Sequence, residues 1–432
     1  MNPIKWKFHW QILFSIVLAA LIASILRVLN IEDSSIAHII TDTCDFLGSL
    51  FMRALKMIIV PLIATSMLCG MLSIGGEKSF GRVGRKVILY YAFTGLFAIL
   101  VGLLLVNIIQ PGHVSEHTAE LIVGQARMDG SLTEKFDGRS FSDIINFFNR
   151  MVPTNIMNAA SDNGQLLGLI VFCLLFGYFI NKLPIKMRSF QVDLWESLQG
   201  VMMGLTQFII KFAPIGVFGL ILPVILRTGW DIIVPLMLFF ITVLLALLIH
   251  MFGTLSIMLY KMGGINPLRH LKTMLPVLIT AFSSASSSAT LPLTIETVEK
   301  ESGVSNRISS FTLPLGATVN MDGTALYECV VVIFIAQFYG VLEGFDITLI
   351  TQFKVVMLAL LTSVGVAGIP AASLVAISLI LGFVGLPLEA IGLVWVTDRI
   401  LDMCRTAVNV YSDTCAAVII GKLEGEENIY TS

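Results

Sequence analysis

Near the C-terminal end of the chain, Asp398, Asp402, Arg405, Asn409 and Asp413 interrupt an otherwise apolar run at spacings of 4, 3, 4 and 4. On an α-helix at 100° per residue, these five side chains fall within an arc of about 80°. Such a stripe can bind a zwitterion. A guanidinium fork grips a carboxylate through two parallel hydrogen bonds, and a carboxylate one turn away accepts an ammonium. Ionised groups at bilayer depth are costly, which makes the stripe a functional-site candidate. Its three carboxylates exceed its one guanidinium by two charges, so a cation from outside the sequence is expected.

Of the 432 residues, 56% are apolar and only 13% are charged. Soluble domains carry about 25% charged residues. The chain therefore reads as an all-α polytopic membrane protein, and with no basic arm it has no nucleic-acid partner. Cys44, Cys69, Cys173, Cys329, Cys404 and Cys415 show neither CxxC nor Cys/His ligand spacing and read as small buried residues. The N-terminus places Lys5 and Lys7 before an apolar run from Ile12 to Leu29. That run is too long, and lacks the small-residue site, for a cleaved signal, so it reads as the first span.

A spanning helix needs about 20 apolar residues. Clear runs lie near 10–29, 46–72, 87–109, 163–181, 200–226, 232–260 and 388–421. Segment 112–150 is charged and reads as an aqueous loop, with 141–162 an irregular interfacial or broken helix. Basic residues cluster in 77–86, 182–188 and 261–272, whereas 31–45 and 112–150 are acidic or mixed. Alternating spans place all three basic loops on one side, the cytoplasm. Both termini are then expected inside, in a multi-pass cell-membrane protein.

Region 273–387 departs from simple spans. Two apolar stretches are interrupted, one by the serine-rich run 283–288 and its sequel to Pro292, the other by Ser363 to Ser373 with its Gly-Ile-Pro. With about ten apolar residues on either side, each predicts a re-entrant hairpin. Between them, Gly316 to Thr324 places Asn320 and Asp322 inside a span with glycine on both flanks. That pattern predicts a discontinuous helix whose unwound carbonyls bind ions, and the hairpins predict an inverted repeat. Plainer readings exist for each piece: a linker, a proline kink, a satisfied buried acid, an internal salt-bridge ladder. None removes the excess of carboxylates.

In the stripe, Arg405 is the anchor for a substrate carboxylate, Asp402 the acceptor for an ammonium, and Asp398 orients the guanidinium. An amino acid with a second carboxylate fits. Its main-chain carboxylate needs other donors, for which the hairpin amides at Ser286 and Ser287 and the side chain of Asn409 are candidates. Asn409 and Asp413 suit a hard cation with oxygen ligands.

The residues NMDGT at 320–324, SSASSSATLP at 283–292, AGIP at 367–370, GRVGRK at 81–86, MVPTN at 151–155 and DxxxDxxRTxxNxxxD at 398–413 resemble the dicarboxylate/amino acid:cation symporters. These include prokaryotic glutamate transporter homologues and are related to the animal excitatory amino acid transporters. The resemblance covers essentially the whole chain. It implies eight transmembrane helices plus two re-entrant hairpins, in a homotrimer working by an elevator mechanism. The scaffold would be 1–75 and 112–226. The transport domain would be 76–111 and 227–432, with hairpins at about 273–300 and 350–385.

By the same resemblance, Arg405 binds the substrate side-chain carboxylate and Asp402 its amino group. Thr324, Thr406 and Asn409 add hydrogen bonds, with backbone from Ser287 and Ile369. Asp413 with carbonyls of Gly316, Asn320 and Asn409 resembles one sodium site. Thr318 with carbonyls of Ser363, Val364 and Val366 resembles a second, and Tyr91, Thr94, Asn320 and Asp322 a third. The second hairpin would be the extracellular gate. No cofactor is implied beyond Na+ as a coupled ligand.

Three positions depart from the family pattern. Gly95 stands where a hydroxyl often follows Thr94, which removes one ligand from the third cation site. Ser373 replaces a common glycine at the second hairpin, where it would stiffen the gate or add a substrate contact. Members also carry an extra arginine at the positions of Ala285 or Met403. Arg399, one turn from Met403, is the candidate substitute, against a plain reading as a snorkelling arginine.

The expected function is sodium-coupled symport of aspartate or glutamate. The rivals are a proton-coupled dicarboxylate or glutamate carrier, a neutral amino acid exchanger that would leave Arg405 unpaired, and an anion channel. An intramembrane enzyme is disfavoured. No Ser/His or HExxH constellation is present, and His9, His38, His113, His117, His250 and His270 are all read as lying outside the polar core.

Overall fold

The computed structural model describes residues 8–29, 34–74, 81–116, 119, 149, 152–161, 166–228, 233–345, 347–363 and 372–430. Most of the aqueous loop 112–150 lies outside the described residues, as does half of the interfacial run 141–162, of which 149 and 152–161 are described.

The described chain is helical. The helices are α1 (Phe8–Val28), α2 (Ser35–Ile74), α3 (Gly81–Ile109), a short α4 (Ile156–Ser161), α5 (Leu166–Ile180), α6 (Ile185–Ile210) and α7 (Ala213–Thr228). Next comes α8 (Ile233–Ile249), which runs through a π-turn at His250–Leu255 into α9 (Ser256–Gly263). The remainder are α10 (Pro267–Ser284), α11 (Ser287–Lys300), α12 (Asn306–Val319), α13 (Asp322–Glu343), α14 (Leu349–Ser363), α15 (Ala372–Val384) and α16 (Trp395–Leu423).

Among the described residues, Arg82–Ile109, Ile233–Gly263 and Asn306–Leu342 are each long and apolar enough to cross a membrane. One bent pair, Ile185–Ile209 with Ala213–Pro223, reaches that length and apolarity only when its two helices are taken together. The expected span 200–226 is two helices that meet at 51° around Lys211 and Phe212. Pro214 explains the break, because proline is accommodated in a first turn, where its missing N–H is not needed. The acidic stretch 31–45 also differs from expectation. Ser34 Oγ accepts the Ala37 amide at 3.2 Å and starts α2 early, so Asp42 and Asp45 sit on exposed helix rather than loop.

Around the serine-rich run, α10 and α11 form a helix–turn–helix with arms longer than expected. Asn266 caps α10 by accepting the Leu268 amide at 2.9 Å, and Pro267 follows as the first helical residue. At the far end Ala285 turns the chain at φ 50°, and Ser286 caps α11 by accepting the Ala289 amide at 3.2 Å. The arms run 18 and 14 residues rather than about ten, because helix continues through the serines up to the turn. The second hairpin has arms α14 and α15. Its tip, 364–371, lies outside the described residues, and with it Val364, Val366 and Ile369.

The discontinuous helix is present, with its break at Asn320 (φ −96°, ψ 86°) and Met321 (φ −114°, ψ 53°). The flanking glycines are not the unwound residues. They sit in helix and allow close approach. A Cβ on Gly316 would overlap Asp413 Oδ1 and stand 2.8 Å from Tyr91 Oη, and one on Gly323 would stand 2.9 Å from the Arg405 carbonyl oxygen.

Helices α1, α2, α5, α6 and α7 pack mainly on one another. A second group is centred on α13, whose residues from Ala325 to Phe338 are all buried, with α3, α8, α14 and α16 around it. The last helix starts later than expected, at Trp395, after a 3₁₀ turn at Leu388–Val394. It packs on α10, α12 and α13, so the charged stripe is enclosed by the first hairpin and the broken helix. At its end the chain folds back. The Tyr430 amide donates to the Ser302 carbonyl at 3.0 Å, and Ile429 is buried near Gly421.

Candidate substrate and cation site

Every member of the stripe is buried: Asp398, Asp402, Arg405, Asn409 and Asp413 are each at most 7% exposed. Arg405 organises the upper half. Its Nη2 donates to Asp402 Oδ1 at 2.7 Å and its Nη1 to Asp398 Oδ1 at 3.1 Å. Its guanidinium carbon lies 3.9 Å from the centroid of the Tyr327 ring, a cation–π contact removed from water. Arg399 also faces this group, with Nη1 3.5 Å from Asp402 Oδ2, and so is not simply a lipid-facing arginine. Four formal charges therefore meet here and cancel.

The lower half holds the excess. Asn320 Nδ2 donates to Asp413 Oδ1 at 2.8 Å and to Ser412 Oγ at 3.0 Å, and Ser412 Oγ donates to Asp322 Oδ2 at 2.7 Å. Thr94 Oγ1 reaches Asn320 Oδ1 at 3.5 Å, and Tyr91 donates to the Thr312 carbonyl at 2.8 Å. The break in the helix makes this possible. It lets Asn320 and Asp322, two residues apart, both face α16. Among the described residues no three His, Cys, Asp or Glu side chains group as metal ligands, so a hard cation here would draw on hydroxyl and carbonyl oxygens beside Asp322 and Asp413.

Asn409 joins the halves. Its Oδ1 accepts the Gly323 amide at 2.7 Å, and its Nδ2 donates to Thr324 Oγ1 at 3.1 Å. Thr406 Oγ1 donates to the Asp402 carbonyl at 2.8 Å, which satisfies it within α16. Ser286 and Ser287 stand at the start of α11, the second of them buried. Of the second proposed ion site, Val364 and Val366 lie outside the described residues. Thr318 Oγ1 donates to Leu315 and Ser363 Oγ to Leu360, each at 3.0 Å in its own helix. Ser373 Oγ is buried and has no hydrogen-bond partner among the described residues.

Two residues were missed in sequence. His250 was placed outside the polar core, yet its Nε2 lies 3.1 Å from Asp322 Oδ2 with both side chains buried. The π-turn that begins at His250 re-aims it, and π-turns often mark functional positions. Glu328 is fully buried on α13 and accepts from Thr362 Oγ1 at 2.7 Å. An acid inside an apolar helix, one turn after Thr324, was the available signal.

A paired guanidinium and two carboxylates, beside a broken helix with further buried acids, can bind a small anion or zwitterion together with cations. Residues 8–423 match the model of the sodium:dicarboxylate symporter family. The chain belongs to that family. It is therefore a multi-pass membrane transporter, not an enzyme. It is 34% identical over 424 residues to the proton/glutamate-aspartate symporter of Escherichia coli, covering 98% of this chain and 94% of that one. It is 33% identical to the proton/sodium-glutamate symport protein of Bacillus caldotenax, over 98% and 96% of the two chains. It is also 33% identical to excitatory amino acid transporter 3 of Oryctolagus cuniculus, over 98% and 87%.

Proposed function

We propose that this chain is a sodium-coupled symporter of aspartate or glutamate. The observation that carries the reading is Arg405, 1% exposed, with Asp402 and Asp398 on its fork. A buried guanidinium held this way is ready to exchange an internal carboxylate for one on a substrate. The substrate side-chain carboxylate engages Arg405 and its ammonium engages Asp402. Thr324, Thr406 and Asn409 supply hydrogen bonds, with backbone from Ser286, Ser287 and Ile369. Asp322 and Asp413 take Na+ with oxygens of Tyr91, Thr94, Gly316, Asn320 and Asn409. A further Na+ lies between Thr318 and the carbonyls of Ser363, Val364 and Val366.

Coupling follows from charge. An acidic amino acid adds one net negative charge to a region that already holds unmatched carboxylates. Bound sodium offsets them, so each ligand raises the affinity of the other by the same factor. The chain works as a homotrimer of eight spans and two hairpins per protomer, with both termini cytoplasmic. The α13-centred group moves as an elevator against the α1, α2 and α5–α7 group, and the second hairpin serves as the outer gate.

The proton-coupled reading is favoured by two observations. Glu328 is a buried carboxyl that makes no ion pair among the described residues, and both bacterial relatives carry "proton" in their names. Uptake into proteoliposomes separates the two. With aspartate outside, an inward sodium gradient alone drives accumulation under the sodium reading. Equal uptake on a pH gradient without sodium overturns it.

A further inference from the structure

We infer that His270 is a positioning residue for the cation site: it backs the turn of α16 that presents Ser412 and Asp413, and Tyr430 of the C-terminal fold-back holds it in place. This rests on the reading of Asp322 and Asp413 as cation ligands. On a helix at 100° per residue, Tyr411 and Thr414 point about 180° away from Ser412 and Asp413. Ser412 and Asp413 meet the broken helix, where Asp413 Oδ1 accepts from Asn320 at 2.8 Å and Ser412 donates to Asp322 at 2.7 Å. Tyr411 and Thr414 meet His270 of the first hairpin. The His270 ring centroid lies 5.4 Å from that of Tyr411, and its Nε2 lies 3.0 Å from Thr414 Oγ1.

His270 belongs to the buried face of α10, with Met274, Val277, Leu278 and Ala281. An imidazole on such a face is costly unless its nitrogens are bonded. Here both are. Thr414 Oγ1 donates to the Tyr411 carbonyl at 2.8 Å, so it accepts from His270 Nε2. In the neutral ring Nδ1 is then the acceptor, and Tyr430 Oη donates to it at 2.7 Å. Tyr430 Oη in turn accepts from Ser302 Oγ at 3.0 Å. These bonds fix the tautomer and the ring plane. They run from the loop after α11, through the C-terminal segment and the first hairpin, to the residue next to Asp413. His270 and Thr414 are each 0% exposed, so water does not reach a partner left alone. Groups that hold a ligand-bearing turn set how well its oxygens match a cation, even without touching it. Loss of the His270 bond therefore loosens the turn that carries Asp413 and weakens cation binding.

The test is the initial rate of aspartate uptake into proteoliposomes as a function of sodium, with full-length variants. Thr414→Val keeps the shape and removes the acceptor. His270→Phe keeps a ring and removes both bonds. Each raises the half-saturating sodium concentration about fivefold, the size of one buried hydrogen bond, and leaves the maximal rate at saturating sodium within about twofold. Made together, the two changes raise it no further than His270→Phe alone, because both break the same bond. His270→Gln, whose amide can still donate to Thr414, recovers most of the loss. Tyr430→Phe shifts the half-saturating concentration in the same direction by less. A purely structural role would instead lower the amount of folded protein or the maximal rate. The inference is overturned by an unmoved half-saturating concentration in Thr414→Val, by an equal fall in maximal rate, by additive effects in the double variant, or by Gln behaving as Phe. If His270→Phe does not fold, Thr414→Val and Tyr430→Phe decide; failure of all three to fold also overturns it. If instead Asp413→Asn leaves the sodium dependence unchanged, or uptake needs no sodium, the underlying cation assignment fails, whatever His270 does.

Discussion

His250 Nε2 stands 3.1 Å from Asp322 Oδ2, although 72 residues separate the two in the chain and neither side chain meets solvent. The imidazole N–H joins the Ser412 hydroxyl in satisfying one carboxylate oxygen. Hydrogen bonds to charged groups are worth about 1.5–3 kcal/mol, and a buried partner left alone costs as much. His250→Ala is therefore expected to destabilise the protein by about 2 kcal/mol, and His250→Gln, which keeps a donor, by clearly less. Thermal unfolding of the purified protein in detergent measures both. Equal melting of His250→Ala and the unaltered protein would show that the contact contributes nothing.

Gly316 tests the lower cluster by shape alone. A methyl group there overlaps Asp413 Oδ1 and crowds Tyr91 Oη, whereas a methyl on Gly200 meets nothing within 4 Å. Gly316→Ala should abolish sodium-dependent uptake, and Gly200→Ala should preserve it. Sodium titrations of the initial rate report the outcome. An alanine at 316 with an unchanged half-saturating sodium concentration removes Asp413 from the cation site.

Arg405→Thr leaves Asp398 and Asp402 without their shared partner and removes the fork for a substrate carboxylate. Aspartate uptake should fall by roughly a hundredfold or more, while a small neutral amino acid is spared or gained. Radiolabelled uptake of aspartate and serine side by side decides it. Unchanged aspartate affinity would sink the assignment of the upper half of the stripe.

Much of this was legible in sequence because charge is rare in this chain. Asp398, Asp402, Arg405, Asn409 and Asp413 stood out against apolar neighbours, and helical spacing alone put them on one face. The interruption at Asn320 was visible for the same reason. His250 was not, because one histidine in a hydrophobic span has no local partner to announce it. Its aim depends on a π-turn that residue spacing does not reveal. The glycines misled in a different way. They suggested unwound backbone, but tight helix contacts need them for want of a side chain. The kink had two marks in an otherwise apolar stretch, the charged Lys211 and Pro214, and neither was enough to divide the run.

Glu328→Gln separates the coupling readings within the protein. The amide keeps shape and still accepts from Thr362, but cannot lose or gain a proton. Under sodium coupling the variant still accumulates aspartate on a sodium gradient. A variant that exchanges substrate across the membrane but no longer accumulates it would move the coupling to this carboxyl.

The C-terminal fold-back should stabilise the base of the first hairpin. Tyr430 Oη lies 2.7 Å from His270 Nδ1 and accepts from Ser302 Oγ at 3.0 Å, and Arg269 Nη1 donates to the Tyr430 carbonyl at 2.9 Å. Tyr430→Phe is expected to cost about 1 kcal/mol, and deletion from residue 425 onward clearly more. Limited proteolysis of α10 and α11 provides the measure. Identical cleavage rates in all three proteins would make the fold-back ornamental.

The break at Asn320 and Met321 also has an electrical consequence. There α12 ends and α13 begins, so the negative pole of one helix macrodipole meets the positive pole of the next in the interior of the protein. Each pole is worth about half an elementary charge, carried by peptide groups. One short stretch of backbone thus offers attraction to a cation on one side and to an anion on the other. These partial charges are permanent and cannot be protonated away, so the polarity of the region persists even when every carboxylate in it has been neutralised.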